Sequence, residues 1–106
     1  MELRQLRSFI AAAEAGNISR AAQALHLSQP ALSRQIKALE DDIGVGLLVR
    51  GAHSFKLTAE GQMFLGEAKA VIARADQALA KVRAASGTVT LTVGYAPSLT
   101  AGTLPI

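Results

Sequence analysis

The sequence predicts a mainly α fold: three amphipathic helices, a two-stranded hairpin and one long helix. Three observations carry that reading. First, residues 18–43 hold two apolar stripes, Ile18, Ala21, Ala22 and Leu25, then Leu32, Ile36, Leu39 and Ile43, each at helical spacing. The turn between them, His26-Leu27-Ser28-Gln29, is too short for a loop and too polar for a helix interior. Second, two β-like runs, Leu47-Leu48-Val49-Arg50 and Phe55-Lys56-Leu57-Thr58, flank Gly51-Ala52-His53-Ser54, the pattern of a hairpin. Third, Leu65, Ala68, Ile72, Ala75, Leu79 and Val82 recur at alternating steps of three and four. Helix, turn, helix and hairpin in that order make a winged helix-turn-helix, with a long linker helix behind it.

The elements follow from local signals. Leu3, Leu6, Phe9, Ile10 and Ala13 form the stripe of the first helix, which stops at Gly16, a residue free to adopt the left-handed cap. The second helix starts at Asn17 or Ser19 and ends at Leu25. Ser28 or Gln29 caps the third, and Pro30 fits its first turn because no amide there needs an intrahelical acceptor. That helix ends near Gly44. Thr58 caps the fourth, from about Ala59 to Ala85. A seam of this length on a helix leaving a small domain calls for a partner, and self-association through it is the expectation, although its first turns can pack on the domain's own core. Thr88-Val89-Thr90-Leu91-Thr92-Val93-Gly94-Tyr95 alternates and is rich in β-branched residues, so it reads as a strand. A lone strand is not stable. Either a further domain has been cut away, which is the favoured reading, or the tail is disordered or pairs with another copy.

Composition bounds function more loosely. The chain has 106 residues, half of them apolar, which excludes a disordered chain. Its net charge of +3 leans toward an acidic partner, but residues 1–60 balance seven Lys or Arg against six Asp or Glu, so any basic face is local. With no Cys there is no disulfide framework and no Cys-ligated zinc, as suits a reducing cytoplasm. MELRQLRSFIAAAEAG is too short in apolar run, and too interrupted by Glu14, to be a signal peptide. No stretch approaches the roughly 18 apolar residues of a spanning helix. Membrane partners are therefore not expected.

The chemistry concentrates on the third helix. Between Glu14 and Glu40 there is no acidic residue, while Arg20, Arg34 and Lys37 fall in that window. Gln29, Ser33, Arg34 and Lys37 lie opposite the apolar stripe and are of the types that read base edges and hold phosphate. Gln29 reads equally as a surface residue, and Ser28 as a plain helix cap. Arg34 can donate two bonds to a guanine or clamp a phosphate. Catalysis finds no support. Two His without Cys leave little for nucleophilic or metal chemistry, and His26 reads as a packing residue in the turn. Glu40, Asp41 and Asp42 are consecutive on a helix and so point apart, as at a solvated helix end. Gly44, Gly46 and Gly51 make no phosphate loop.

Read together, LRQLRSFIAAAEAGNISRAAQAL, then LHLSQPALSRQIKALEDDIGVGLLVR, then Leu57-Thr58-Ala59-Glu60-Gly61 resemble the N-terminal part of a LysR-type transcriptional regulator. Phe9, Ala21-Ala22, Ser28-Gln29, Ser33-Arg34-Gln35-Ile36, Leu39-Glu40, Gly44 and Leu47…Arg50 fall in the family's places. Leu48 departs from the usual Phe, and His53 stands where wings often carry a basic residue. The resemblance implies a DNA-binding domain over 1–58, a linker and dimerisation helix over 59–86, and the start of an effector-binding α/β domain over 87–106. It implies that Gln29, Ser33 and Arg34 face bases, with Pro30 and Ala31 near a thymine methyl. Ser28, Lys37, Arg50 and His53 would hold phosphates. Leu65, Ala68, Ile72, Ala75, Leu79 and Val82 would join two copies through antiparallel helices, so that a homodimer reads an interrupted inverted repeat in double-stranded DNA. A complete regulator of this kind forms tetramers and answers to a small-molecule effector in the domain that is absent here; this fragment needs no cofactor. Two other readings are a winged helix used as a protein-interaction module and a natural truncated antagonist of a full-length regulator.

Overall fold

The computed structural model describes residues 1–51 and 55–87. In chain order the elements are α1 (Leu3–Ala15), α2 (Ile18–Leu25), α3 (Gln29–Ile43), β1 (Leu48–Arg50), β2 (Phe55–Leu57) and α4 (Ala59–Ser86). The fold is the winged helix-turn-helix with a long trailing helix. The strand expected over Thr88–Tyr95, the loop after it and residues 52–54 of the hairpin lie outside the described residues. Among the described residues no helix is long and apolar enough to cross a membrane.

Packing divides the chain into two compact units, Met1–Ile72 and Ala73–Ile106. In the first, Leu6, Phe9 and Ala12 of α1 meet Ala21 and Ala22 of α2 and Leu32, Ile36 and Leu39 of α3, all buried. The two alanines of α2 let the helices approach closely, and Leu47 and Leu48 close the core from the wing side. The stripe of α1 differs in detail from the sequence reading. Leu3 is exposed, because it sits at the N-terminal end beyond the core, and Ala12 rather than Ala13 is fully buried. Ser8 is buried as well, which its polarity hid; its hydroxyl donates to the Gln35 side-chain carbonyl of α3, so burial leaves no unmet hydrogen bond.

Each turn has an identifiable stop and start. Gly16 and Gly44 take the left-handed conformation after α1 and α3, at φ 66° and 83°. Asn17 caps α2 by accepting the Arg20 amide at 3.0 Å, and Ser28 caps α3 by accepting the Ala31 amide at 3.2 Å. His26 corrects the sequence reading. It is exposed, not packed, and its role is backbone: at φ 58° it forms the left-handed cap of α2, its amide donating to Gln23 O.

β1 and β2 pair antiparallel, with Leu48 opposite Leu57, Val49 opposite Lys56 and Arg50 opposite Phe55. Thr58 then links wing to helix. Its hydroxyl donates to Gly46 O at 2.8 Å and accepts the Gly61 amide at 2.9 Å, an N-terminal cap for α4. Gly61 is required by close approach: a Cβ there would lie 2.1 Å from the Leu47 carbonyl oxygen. The first turns of α4 are held to α1 by Phe9 and Phe64, with ring centroids 5.7 Å apart, and by the Lys69–Glu14 pair at 2.6 Å.

Candidate nucleic-acid interface

The large apolar residues at the middle of α3 turn inward, so the opposite side of the helix turns out. Leu32, Ile36 and Leu39 are fully buried. Ser28, Gln29, Pro30, Arg34 and Lys37 are exposed, and Ala31 and Ser33 are half-buried between the two sets. Positions 30, 33 or 34, and 37 recur at helical spacing, so these residues share one face of α3. That face opens on the N-terminal end of the helix, where the helix dipole favours an anion.

The charges on this face differ in how free they are. Arg34 makes no ion pair among the described residues, so its planar donor fork is available. Lys37 reaches Asp41, one turn on, at 3.0 Å. The acid-free window ended at Glu40 in sequence, but a helix brings residue i+4 back to the same face, and Asp41 was outside the window only in linear terms. Such an exposed pair contributes about 0.3–0.5 kcal/mol and would be exchanged readily for a phosphate.

Gln29 is held rather than free. Its Nε2 donates to the Ser19 hydroxyl at 2.7 Å, across the turn between α2 and α3. Ser19 lies in the first turn of α2 and is itself exposed. Sequence reasoning missed it, because a contact ten residues apart leaves no local signal.

On the wing, Arg50 is exposed on β1. His53 lies outside the described residues. Lys56 is a further exposed cation that the sequence reading left unused. The alternation Phe55-Lys56-Leu57 was the signal, since a strand with Leu57 facing inward turns Lys56 outward. The wing is joined to α3 by Glu40, whose Oε2 accepts the amides of Leu47 at 2.7 Å and Leu48 at 3.1 Å. The acidic cluster therefore disperses: Glu40 to the wing backbone, Asp41 to Lys37, and Asp42 to the N-terminal amine at 3.2 Å.

Leu65, Ala68 and Ile72 of the α4 seam pack against the core of their own unit, with Ala68 at 0% exposure. The later seam positions differ. Ala75 is half-buried, and after it Leu79 is 51% exposed and Val82 67%.

Residues 3–62 match the family model described as the bacterial regulatory helix-turn-helix protein, lysR family. The chain belongs to the LysR family. The Hca operon transcriptional activator HcaR of Escherichia coli K12 is 46% identical over 106 residues, covering 99% of this chain and 36% of HcaR. Among solved structures, the DNA-binding domain of CbnR in complex with DNA is 49% identical with a TM-score of 0.78, covering 80% of this chain and 98% of that one. The BenM DNA-binding domain with its benA site 1 DNA is 41% identical with a TM-score of 0.74, covering 78% and 96%. This LysR-family chain thus spans about a third of the length of HcaR.

Proposed function

We propose that this chain is the DNA-binding part of a LysR-type transcriptional regulator, that α3 enters the major groove of double-stranded DNA, and that the wing contacts the adjacent backbone or minor groove. The observation that supports this most directly is the exposed face of α3. Gln29, Pro30 and Arg34 project from a capped helix end whose opposite side is locked in the core. Solved relatives at 49% and 41% identity carry the same fold and were crystallised with DNA. In this reading Gln29, Pro30, Ala31, Ser33 and Arg34 face bases, while Ser28, Lys37, Arg50 and His53 hold phosphates. Such a protein acts in the bacterial cytoplasm by binding and has no catalytic role.

The reading extends to assembly. Residues 1–58 are the DNA-binding domain, 59–86 the linker helix and 87–106 the beginning of an effector-binding domain. Two copies associate through α4, and because Leu65, Ala68 and Ile72 are occupied within their own unit, Ala75, Leu79 and Val82 offer the open part of the seam. A dimer presents two α3 helices to the two halves of an inverted repeat.

The test is fluorescence-anisotropy titration of the wild type and Arg34→Ala onto a duplex carrying a LysR-type inverted repeat, with a scrambled duplex alongside, each at two salt concentrations. The expected result is preference for the repeat, affinity that falls with salt as counterions are released, and loss of preference in Arg34→Ala. An Arg–guanine pair contributes roughly 1–3 kcal/mol of discrimination. Absence of binding to either duplex at low salt would favour a protein-interaction module instead.

A further inference from the structure

A side-chain hydrogen bond crosses the turn between α2 and α3 and joins two exposed polar residues, Ser19 and Gln29. Exposed glutamines ordinarily sample many rotamers, since water competes for both ends of the amide and side-chain entropy opposes any single position. Here the amide is tethered at 2.7 Å through Nε2, which leaves the second Nε2 hydrogen and the Oε1 lone pairs unused. One donor and one acceptor side by side on a planar amide match the N7 acceptor and N6 donor of adenine in the major groove.

Ser19 has a further property that a purely packing residue lacks. A hydroxyl can accept from Nε2 or donate to Oε1, so alone it tolerates either orientation of the amide. If its own hydrogen is given to a phosphate oxygen, only the accepting role remains, and the amide is fixed with Nε2 toward Ser19. Ser19 lies in the first turn of α2 and is exposed, so its hydroxyl is open to such a donor bond.

We infer that Ser19 is a positioning residue for base readout: it ties the Gln29 amide and, on donating to a DNA phosphate, holds it in the orientation that selects adenine. Backbone contact and base selection are thereby coupled through one hydroxyl. The inference rests on the proposed DNA-binding role of α3 and adds to it a residue on α2, an orientation and a preferred base.

The experiment uses the full 106-residue chain and has two arms. In the first, a duplex is selected from a randomised pool by the wild type, and every half-site position is then replaced with each other base pair. Gln29→Ala identifies the position that Gln29 reads. Ser19→Ala is expected to lower the adenine preference at that same position by roughly five- to tenfold, leaving other positions unchanged. Ser19→Thr, which keeps the hydroxyl, is expected to retain the preference, and Ser19→Ala is expected to add nothing in the Gln29→Ala background. In the second arm, without DNA, the Gln29 side-chain amide is followed by 15N–1H NMR; Ser19→Ala is expected to shift its resonances and increase its mobility, with the melting midpoint unchanged.

Equal loss of affinity for all base pairs would reduce Ser19 to a phosphate contact and overturn the inference. So would a Gln29 amide whose spectrum is the same with and without the Ser19 hydroxyl, or a loss of affinity that merely follows a lowered melting midpoint. A wild type that selects no sequence would instead overturn the DNA-binding reading, and the NMR arm would still report whether the tether exists.

Discussion

α3 and α4 are both amphipathic helices, yet they are stabilised in different ways. α3 has 15 residues, a serine cap at one end, a glycine cap at the other, and Leu32, Ile36 and Leu39 wholly inside a core built by its neighbours. α4 has 28 residues, of which only Gly61 and Ala68 are buried. An isolated helix is marginal in water because nucleation is costly, and tertiary burial usually supplies the difference. α3 obtains that burial within the chain. Beyond Ile72, α4 has alanine-rich, high-propensity sequence and an open apolar edge instead. The comparison teaches that a helix whose apolar stripe is covered by its own domain is fixed by that packing, while α4 beyond Ile72 leaves apolar side chains uncovered within the chain.

Four tests break or sharpen that contrast. Ile36→Ala should have the largest effect, destabilising the domain by about 2–5 kcal/mol through lost burial and a cavity, as read by urea unfolding; a loss under about 1 kcal/mol would mean that α3 is not locked as described. Gly61→Ala should cost about 1–3 kcal/mol, since its Cβ would collide with the Leu47 carbonyl. That result would show that the start of α4 belongs energetically to the wing and the core, and an unchanged melting midpoint would refute the close approach.

Ser28→Ala should cost about 1 kcal/mol by removing the acceptor of the Ala31 amide; Ser28→Asp should restore it, which separates capping from phosphate contact because the added negative charge would still weaken DNA binding. The smallest effect on folding is expected for Leu79→Ala with Val82→Ala, under about 0.5 kcal/mol for each exposed site at protein concentrations where the chain is monomeric. The same pair should raise the dissociation constant for self-association in analytical ultracentrifugation. Unaltered sedimentation at all concentrations would count against the open part of the seam as a dimer contact.

Much of this was legible in the sequence because it is local. Gly16 and Gly44 as helix stops, Ser28 as a cap and the stripe of α3 are set by neighbours within four residues, where periodicity and capping rules operate. The wing was legible from two short β-like runs around a glycine-containing turn. The seam of α4 was legible as a seam, but its division was not: Leu65, Ala68 and Ile72 carry the same apolar pattern as Ala75, Leu79 and Val82, and pattern does not record which copy or which element covers a face.

The sequence by itself determined the order and type of the elements from α1 to α4, the placement of Gln29, Arg34 and Lys37 away from the buried stripe of α3, and the likeness to the LysR family. Only the tertiary structure decided that Ser19 meets Gln29, that Glu40 collects the wing amides, that His26 is a backbone cap, and that Gly61 clears the Leu47 carbonyl. The physical reason is range. Helix periodicity and caps are properties of a few consecutive residues, whereas these contacts depend on how finished elements pack, and packing is fixed by the shapes of many side chains at once.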